Sequence, residues 1–192
     1  MTEQGTGGTA LLVIDMQNAV VGEAHEGDAL VARVAGVIDR ARDEGVPVVY
    51  VRHQEADYAP MNAGADGWQI RPEIAPHSGE TIIDKRFNDA FAQTDLADKL
   101  DEIGATRLVV TGCATDACIS ATVFRAMAEG YDITLVADGH GTDVGPWSPE
   151  GLTAPMLIAQ YNAMFGGLSY PAEGGARRVA VVPSNELTLR AS

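Results

Sequence analysis

The sequence predicts a three-layer α/β/α fold, built on a six-stranded, mostly parallel, doubly wound sheet of the Rossmann-like type. Apolar stretches of strand length alternate with amphipathic helical patterns along all 192 residues, and glycine and proline separate them. The strand stretches are continuously apolar, as expected when helices cover both faces of a sheet. Because β-α-β crossovers are right-handed, this order predicts a parallel sheet in one domain, residues 1–192.

Each expected strand is a short run rich in aliphatic residues. The six runs are residues 10–14, 46–51, 81–83, 108–110, 133–136 and 179–182. Apolar residues at spacings of three and four predict helices over 28–44, 94–104 and 116–129, and around 152–164. Residues 52–80 and 139–150 show neither pattern. Both stretches follow the carboxyl end of a strand, where open α/β sheets bind ligands, so we expect the site beneath them.

The charge of the chain excludes several kinds of partner. It has 27 acidic and 13 basic side chains, a net charge of −14. Nucleic acids and anionic membranes are bound through positive patches, so we expect neither as a partner. No apolar run approaches the roughly 20 residues of a membrane-spanning helix, and no basic segment marks a secretory signal. We expect a cytoplasmic protein with a small-molecule partner. The acidity suits a cationic substrate, although it more commonly serves solubility.

The two cysteines lie in one segment. Cys113 and Cys118 are too few for a disulfide scaffold. Cys118 follows a strand and a turn of small residues, in the first turn of a helix that Thr115 or Asp116 can cap. Free N–H groups and the helix dipole there favour a thiolate and can stabilise an oxyanion. Cys118 is therefore a candidate nucleophile, and a small buried apolar residue is the alternative.

Two charged residues lie at the ends of other strands. Asp15 ends the first strand, which neighbours the fourth at the switch point of a doubly wound sheet, so Asp15 and Cys118 should face one crevice. Lys85 follows the third strand, and an ammonium group there would favour the carboxylate and thiolate together. Taken singly, Asp15 also suits a loop cap or a metal ligand, and Lys85 a surface position.

Together these residues resemble the isochorismatase-like cysteine hydrolases over nearly the whole chain. The similarity lies in three segments around the residues just named. They are residues 12–18 (Leu-Val-Ile-Asp-Met-Gln-Asn), Lys85 with 87–91 (Phe-Asn-Asp-Ala-Phe) and 94–96 (Thr-Asp-Leu), and the Thr-Gly-x-x-Thr-Asp-x-Cys motif at 111–118. The last motif is the most specific of the three.

The resemblance implies an isochorismatase-like hydrolase fold and a catalytic triad of Asp15, Lys85 and Cys118. It also implies a cis peptide bond between Cys113 and Ala114, and oxyanion donors at the backbone N–H groups of Ala114 and Cys118. We expect no cofactor. We expect the protein to form a homodimer or a homotetramer. In this family a cysteine nucleophile implies hydrolysis of a C–N bond, in a small amide, carbamoyl or lactam substrate, through a thioester.

Several alternatives stay open within this resemblance. N-carbamoylsarcosine amidohydrolases and streptothricin-type lactam hydrolases are similar, the latter with a cationic substrate. Isochorismatases, which cleave a vinyl ether, share the fold but lack the cysteine. Nicotinamidases carry an Asp-x-His metal site after the second strand. Residues 51–55 (Val-Arg-His-Gln-Glu) lack it, so we expect no metal. Two alternatives from other classes also stay open. One is a redox sensor in which Cys113 pairs with Cys118, and the other is a non-catalytic domain of the same fold.

Four further residues are candidates for substrate binding. Asn18 lies three residues after Asp15 and can bind a polar group or cap a turn. His53 ends the second strand and His140 follows the fifth, so both can reach the cleft. Trp68 lies in the long loop and can form a pocket wall or anchor the loop.

Overall fold

The computed structural model describes residues 8–146 and 148–190, and a six-stranded parallel sheet forms its centre. The strands are β1 (Gly8–Ile14), β2 (Val48–His53), β3 (Thr81–Lys85), β4 (Ala105–Cys113), β5 (Asp132–Gly141), β6 (Ser169–Ala172), β7 (Gly175–Arg178) and β8 (Ala180–Val182). The helices are α1 (Asn18–Glu23), α2 (Gly27–Asp43), α3 (Leu96–Glu102), α4 (Ser120–Glu129) and α5 (Ala154–Gly167).

The strand order in the sheet is β3-β2-β1-β4-β5-β8. All five neighbouring pairs are parallel, which confirms the predicted fold class. Strands β1 and β4 lie side by side where the order reverses, as expected. The carboxyl ends of β1, β3 and β4 therefore lie along one edge of the sheet, with β2 between β3 and β1.

The central strands are buried on both faces, which explains their continuously apolar sequence. Along β1, Leu12 and Ile14 join the core cluster on one face, and Leu11 and Val13 join the cluster on the other. All four are at most 1% exposed. Burying an aliphatic side chain of this size contributes about 1.5–3 kcal/mol, so β1 is a rigid base for the residue that follows it.

Helix α2 covers the second face through the predicted stripe of apolar residues. Leu30, Val34 and Ile38 lie on its buried side, at spacings that place them on one helix face. The helix ends before Gly45, whose φ of 67° favours glycine.

Three features of the structure differ from the sequence prediction. Helix α1 and the antiparallel β6–β7 hairpin were not predicted, because neither carries a clear apolar period. The long loop contains two single-turn 3₁₀ segments, Ala59–Met61 and Pro72–Ile74. Strand β5 continues to Gly141, after a shift in its register with β4. The expected second loop is correspondingly shorter, since β4 supplies pairing partners that the local sequence does not reveal.

None of the helices in residues 8–146 and 148–190 is both long and apolar enough to cross a bilayer.

Candidate active site

Three charged or nucleophilic side chains from different strand ends meet at the carboxyl edge of the sheet. Asp15 directly follows β1, Lys85 is the last residue of β3, and Cys118 lies in the turn after β4. The Nζ of Lys85 lies 2.6 Å from Oδ2 of Asp15 and 3.1 Å from Sγ of Cys118. The sequence predicted that these residues share one crevice, and the structure brings them together there.

The backbone at the switch point places Asp15 in an unusual conformation. Asp15 has a φ of 49°, in the left-handed region that few residues other than glycine adopt. Its N–H donates to the carbonyl of Val51 at 2.8 Å. Beside it, Gly112 has a φ of 123°, and an added Cβ would overlap the carbonyl oxygen of Ile14. The close approach of β4 to β1 thus requires glycine at this position.

The turn carrying Cys118 is wider than the predicted α-helical turn. Residues Thr115–Ile119 form a π-type turn, in which the N–H of Ile119 donates to the carbonyl of Ala114 at 3.0 Å. The regular helix α4 begins only afterwards. A cis peptide bond joins Cys113 to Ala114, as the resemblance implied. The wider turn gives the Cys118 side chain a different direction from the one that a regular α-helical turn would give it. Such π-type turns occur frequently at functional sites.

Side chains at the end of β5 and directly after it support this turn. Oγ1 of Thr115 lies 2.8 Å from Nδ1 of His140, and the hydroxyl of Thr142 donates to Asp116 at 2.6 Å. On its other side, Nε2 of His140 lies 2.9 Å from Oδ1 of Asn162. The expectation that Thr115 or Asp116 caps the helix is therefore wrong, because both side chains bind across to the β5 segment instead.

The buried position of the site decides its protonation. Burial lowers the pKa of Lys85, but the neighbouring Asp15 and Cys118 outweigh this effect and raise the pKa above its usual value. Burial and Asp15 raise the pKa of Cys118 to about 12, although Lys85 opposes them. This direction is opposite to the lowering that the helix start alone would produce, and it favours a thiol that needs a base to ionise it.

A fourth side chain, His53, lies against Lys85. Its Nδ1 is 3.1 Å from Nζ of Lys85, and burial and Lys85 together lower its pKa. Donor atoms of Asp15, His53 and Cys118 all lie within 4.8 Å of one another, a set that could hold a metal ion. The ammonium group of Lys85 contacts all three residues, so a metal ion there would have to displace it.

The cluster opens into a cavity of about 240 Å³. Among the described residues, Oδ1 of Asp15 is buried without a hydrogen-bond partner. Ala114 and Cys118, the expected oxyanion donors, both line the cavity. The other lining residues are Asp15, Ala19, Val20, Glu23, His53, Glu55, Tyr58, Met61 and Asn88. The cavity therefore combines a cysteine thiol, an unsatisfied carboxylate oxygen and the backbone of the cis peptide.

Of the four residues expected to contact substrate, the structure places only His53 on this cavity. Asn18 donates from its side chain to the carbonyl of Asp66. The ring of Trp68 lies 3.7 Å beneath the guanidinium group of Arg52. Asn18 and Trp68 thus hold the long loop in place. His140 is buried behind the turn and lines a separate cavity of about 310 Å³ between α2 and α5.

Sequence reasoning missed several residues of the cavity wall. Asn88 lies 3.7 Å from the sulfur of Cys118, and the family-like segment 87–91 could have indicated it. Glu55 lies two residues after His53, at the end of β2. Glu23, Tyr58 and Met61 come from α1 and the long loop, where the sequence shows no pattern that assigns them to a site.

Comparisons with known proteins agree with this architecture. The isochorismatase domain family matches residues 9–146. A streptothricin hydrolase from Streptomyces noursei is 33% identical over 144 residues, which are 73% of this chain and 52% of that protein. The chain spans little more than half the length of the curated streptothricin hydrolases that it matches.

Solved structures show the same fold. An isochorismatase from Pseudomonas putida KT2440 has a TM-score of 0.81 at 27% identity, covering 94% of this chain and 90% of that one. N-carbamoylsarcosine amidase from Thermoplasma acidophilum has a TM-score of 0.72 at 25% identity, covering 94% and 98%. With the family matching most of its length, this chain belongs to the isochorismatase family.

Proposed function

We propose that the protein hydrolyses a C–N bond in a small amide, carbamoyl or lactam substrate, through a thioester on Cys118. One observation carries the proposal. The thiol of Cys118 lies at the base of a cavity beside Lys85 and a buried carboxylate, and Oδ1 of that carboxylate has no partner among the described residues. An unpartnered carboxylate oxygen beside a thiol is a ready proton acceptor.

In the first half of the reaction, Asp15 takes the proton from the thiol of Cys118. The sulfur then attacks the carbonyl carbon of the substrate, and the N–H groups of Ala114 and Cys118 bind the resulting oxyanion. When the intermediate collapses, the C–N bond breaks and the nitrogen takes the proton from Asp15. Ammonia or an amine leaves, and the acyl group stays on sulfur.

In the second half, water attacks the thioester and gives a proton to Asp15. The C–S bond breaks, the sulfur recovers that proton, and the carboxylic acid is released. Lys85 keeps its ammonium charge throughout and faces whichever of Asp15 and Cys118 is anionic. The raised pKa of the Cys118 thiol fits this cycle. In it, the thiol loses its proton to Asp15 only as the sulfur attacks the substrate.

The other readings have less support. Cys113 packs with Leu11 and Val13 on one face of the sheet, while Cys118 packs on the opposite face, which disfavours a redox pair. A vinyl-ether hydrolase of the isochorismatase type needs no cysteine nucleophile, so it leaves the position of Cys118 unexplained. A non-catalytic domain leaves the buried Asp15–Lys85 pair and the cavity unexplained.

A cationic lactam is the second candidate substrate. The carboxylates of Glu23 and Glu55 line the cavity, and no arginine or lysine is among its described lining residues. Such a lining attracts a positively charged group. The similarity to streptothricin hydrolase points the same way.

The test is product release across a substrate panel. The panel contains primary amides, N-carbamoyl amino acids, and neutral and cationic lactams including streptothricin, and the readout is ammonia, amine or ring-opened acid. We expect turnover of at least one class. The Cys118→Ala variant should lose roughly a thousandfold or more of it. Cys118→Ser should be nearly as poor, because an alcohol is much less acidic than a thiol.

Mass spectrometry of a rapidly quenched reaction should show the acyl group on the peptide containing Cys118. Full turnover by Cys118→Ala would refute the thioester mechanism. Turnover of neutral lactams in preference to cationic ones would exclude the second candidate.

A further inference from the structure

The hydrogen bonds of Lys85 determine the protonation of its neighbour. A lysine ammonium group has three N–H donors and no acceptor. Within hydrogen-bond distance of Nζ lie a carboxylate oxygen of Asp15, the sulfur of Cys118 and Nδ1 of His53. All three donors can be used only if Nδ1 of His53 carries a lone pair, since a protonated Nδ1 would direct its own hydrogen at the ammonium group.

We infer that His53 is a positioning residue, whose neutral imidazole, protonated on Nε2, accepts the third N–H of Lys85 and so holds the ammonium between Asp15 and Cys118. This inference rests on the proposed function for its effect on turnover, but the hydrogen bond itself does not depend on any substrate. His53 acts through Lys85 and takes no part in bond making.

The backbone holds His53 in the required place. His53 and Lys85 are register partners on the parallel strands β2 and β3. The side chain of the fully buried Gln17 accepts from the N–H of His53 at 2.8 Å and donates to its carbonyl at 2.9 Å. Gln17 also donates to the carbonyl of Trp68. One amide thus joins the end of β2 to the long loop, and this limits movement of the imidazole.

The charged and titratable groups around His53 determine the pH range in which its Nδ1 can accept a hydrogen bond. Lys85 faces Nδ1 from β3, Asp15 from the end of β1 and Cys118 from the π-type turn. Oε1 of Glu55, beyond the end of β2, lies 3.8 Å from Nε2. Burial and Lys85 lower the pKa of His53, against smaller opposing effects of Asp15 and Glu55. The imidazole is therefore neutral at pH 7, and it gains a proton only below its ordinary pKa of 6.5.

Protonation would place a second cation 3.1 Å from the ammonium group. Lys85 would then lose an acceptor and be repelled, so turnover should fall as the pH decreases through the pKa of His53. Asp15 also faces this cluster, so the acidic limb is assigned to His53 only by a variant that cannot titrate.

The first test needs no substrate. ¹⁵N-detected NMR of histidine-labelled protein reports the tautomer and titration of each of the four histidines, and His53→Asn assigns the signal. We expect the Nε2–H tautomer for His53 and a titration midpoint below its ordinary value of 6.5. Lys85→Met should raise that midpoint. An Nδ1–H tautomer in the wild-type protein would overturn the inference, and so would a midpoint unaffected by Lys85→Met.

The second test uses any substrate that the panel yields. His53→Leu removes the acceptor and should lower kcat about tenfold or more, with KM nearly unchanged, because a hydrogen bond to a charged group is lost. His53→Asn keeps an acceptor at the same position without a titratable proton. It should recover most of the lost kcat and move the acidic limb to lower pH. His77→Asn makes the same change at an exposed histidine outside the cavity. It should alter neither kcat nor the position of the acidic limb.

The outcomes separate the two proposals. A rise in KM at constant kcat in His53→Leu would make His53 a substrate-binding residue and overturn the positioning role. An acidic limb that stays in place in His53→Asn would assign that limb to another group and would also contradict the inference. If no substrate is turned over, the proposed function fails, whereas the tautomer and titration still decide the role of His53.

Discussion

At the scale of single residues, the site depends on one buried ion pair. Asp15 and Lys85 are both at most 1% exposed, with 2.6 Å between the carboxylate and the ammonium group. Two charges taken out of water are stable there only as long as each has its partner. The residues that give the site its chemistry are therefore also the residues whose single replacement disturbs the fold.

We predict that Lys85→Met and Asp15→Asn each lower the free energy of unfolding by about 3–5 kcal/mol, because each leaves an uncompensated or poorly satisfied polar group in the core. The double variant should recover a substantial part of this loss without recovering activity. Urea unfolding of the three variants measures the coupling.

A matched control uses an exposed ion pair. Arg125 and Glu129 lie 2.6 Å apart on the surface of α4. Arg125→Met should change the free energy of unfolding by less than about 1 kcal/mol. Additive losses at Asp15 and Lys85 would contradict the coupling between them.

At the scale of secondary-structure elements, the site depends on how closely β4 approaches β1 and on the turn that follows. Gly112 allows that approach, and the π-type turn at Thr115–Ile119 then directs Cys118 toward the cavity. The end of β5 supports the turn through His140, and Thr142, the residue after β5, adds a second contact. Several elements thus contribute to the position of one sulfur atom.

We predict that Gly112→Ala is destabilising by about 3 kcal/mol or more, since the new Cβ meets the backbone of β1 and the φ angle disfavours alanine. Thermal or urea unfolding measures this, and loss of soluble folded protein is the extreme form of the same result. Gly36→Ala is the control. Gly36 lies within α2 with open space around its Cα, so this change should stabilise the protein by about 0.5–1 kcal/mol. Equal effects of the two variants would contradict the close-approach argument.

At the scale of the whole molecule, several buried groups hold their protons more tightly in the folded state. Burial raises the pKa of Tyr50 to about 12 from an ordinary value of 10.0, and that of Cys118 to about 12 from 9.0. Burial also raises the pKa of Cys113. Well below pH 9 these groups are protonated in both the folded and the unfolded chain. As the pH approaches and passes 9, the unfolded chain releases its protons first.

We therefore predict that stability falls as the pH rises above 9, by on the order of 1 kcal/mol per group by pH 10.5. Urea midpoints measured between pH 7.5 and 10.5 test this. Tyr50→Phe should make the decline less steep, whereas Tyr58→Phe, at an exposed tyrosine, should leave the slope unchanged. A flat pH dependence would show that the folded state does not resist ionisation of these groups.

Much of this architecture could be predicted from the sequence, because its determinants are local. The strand runs and helix periods follow from which residues are apolar, and their order determines a doubly wound sheet. Asp15, Lys85 and Cys118 could be identified because each stands at the end of a recognisable strand or in a specific motif. The oxyanion candidates Ala114 and Cys118 come from the same motif.

Other features follow from contacts between segments distant in the chain. His53 and Lys85 became neighbours through the pairing of β2 with β3, and Glu23 and Glu55 reached one cavity only when the long loop packed against α1. For Asn18 and Trp68 the sequence left both a substrate contact and a local structural role open, and the contacts in the structure are the structural ones. The resting protonation of Cys118 also depends on burial, which no local pattern reports.

The linear order of residues thus determined the layers of the fold, the sheet class and the three reactive groups, since apolar periodicity and short motifs act over a few neighbouring residues. Only the tertiary structure decided which side chains surround the sulfur, which of them carry a proton, and which surface the substrate meets. Those properties depend on distance and solvent exclusion among residues up to about a hundred positions apart, such as Asp15 and Cys118.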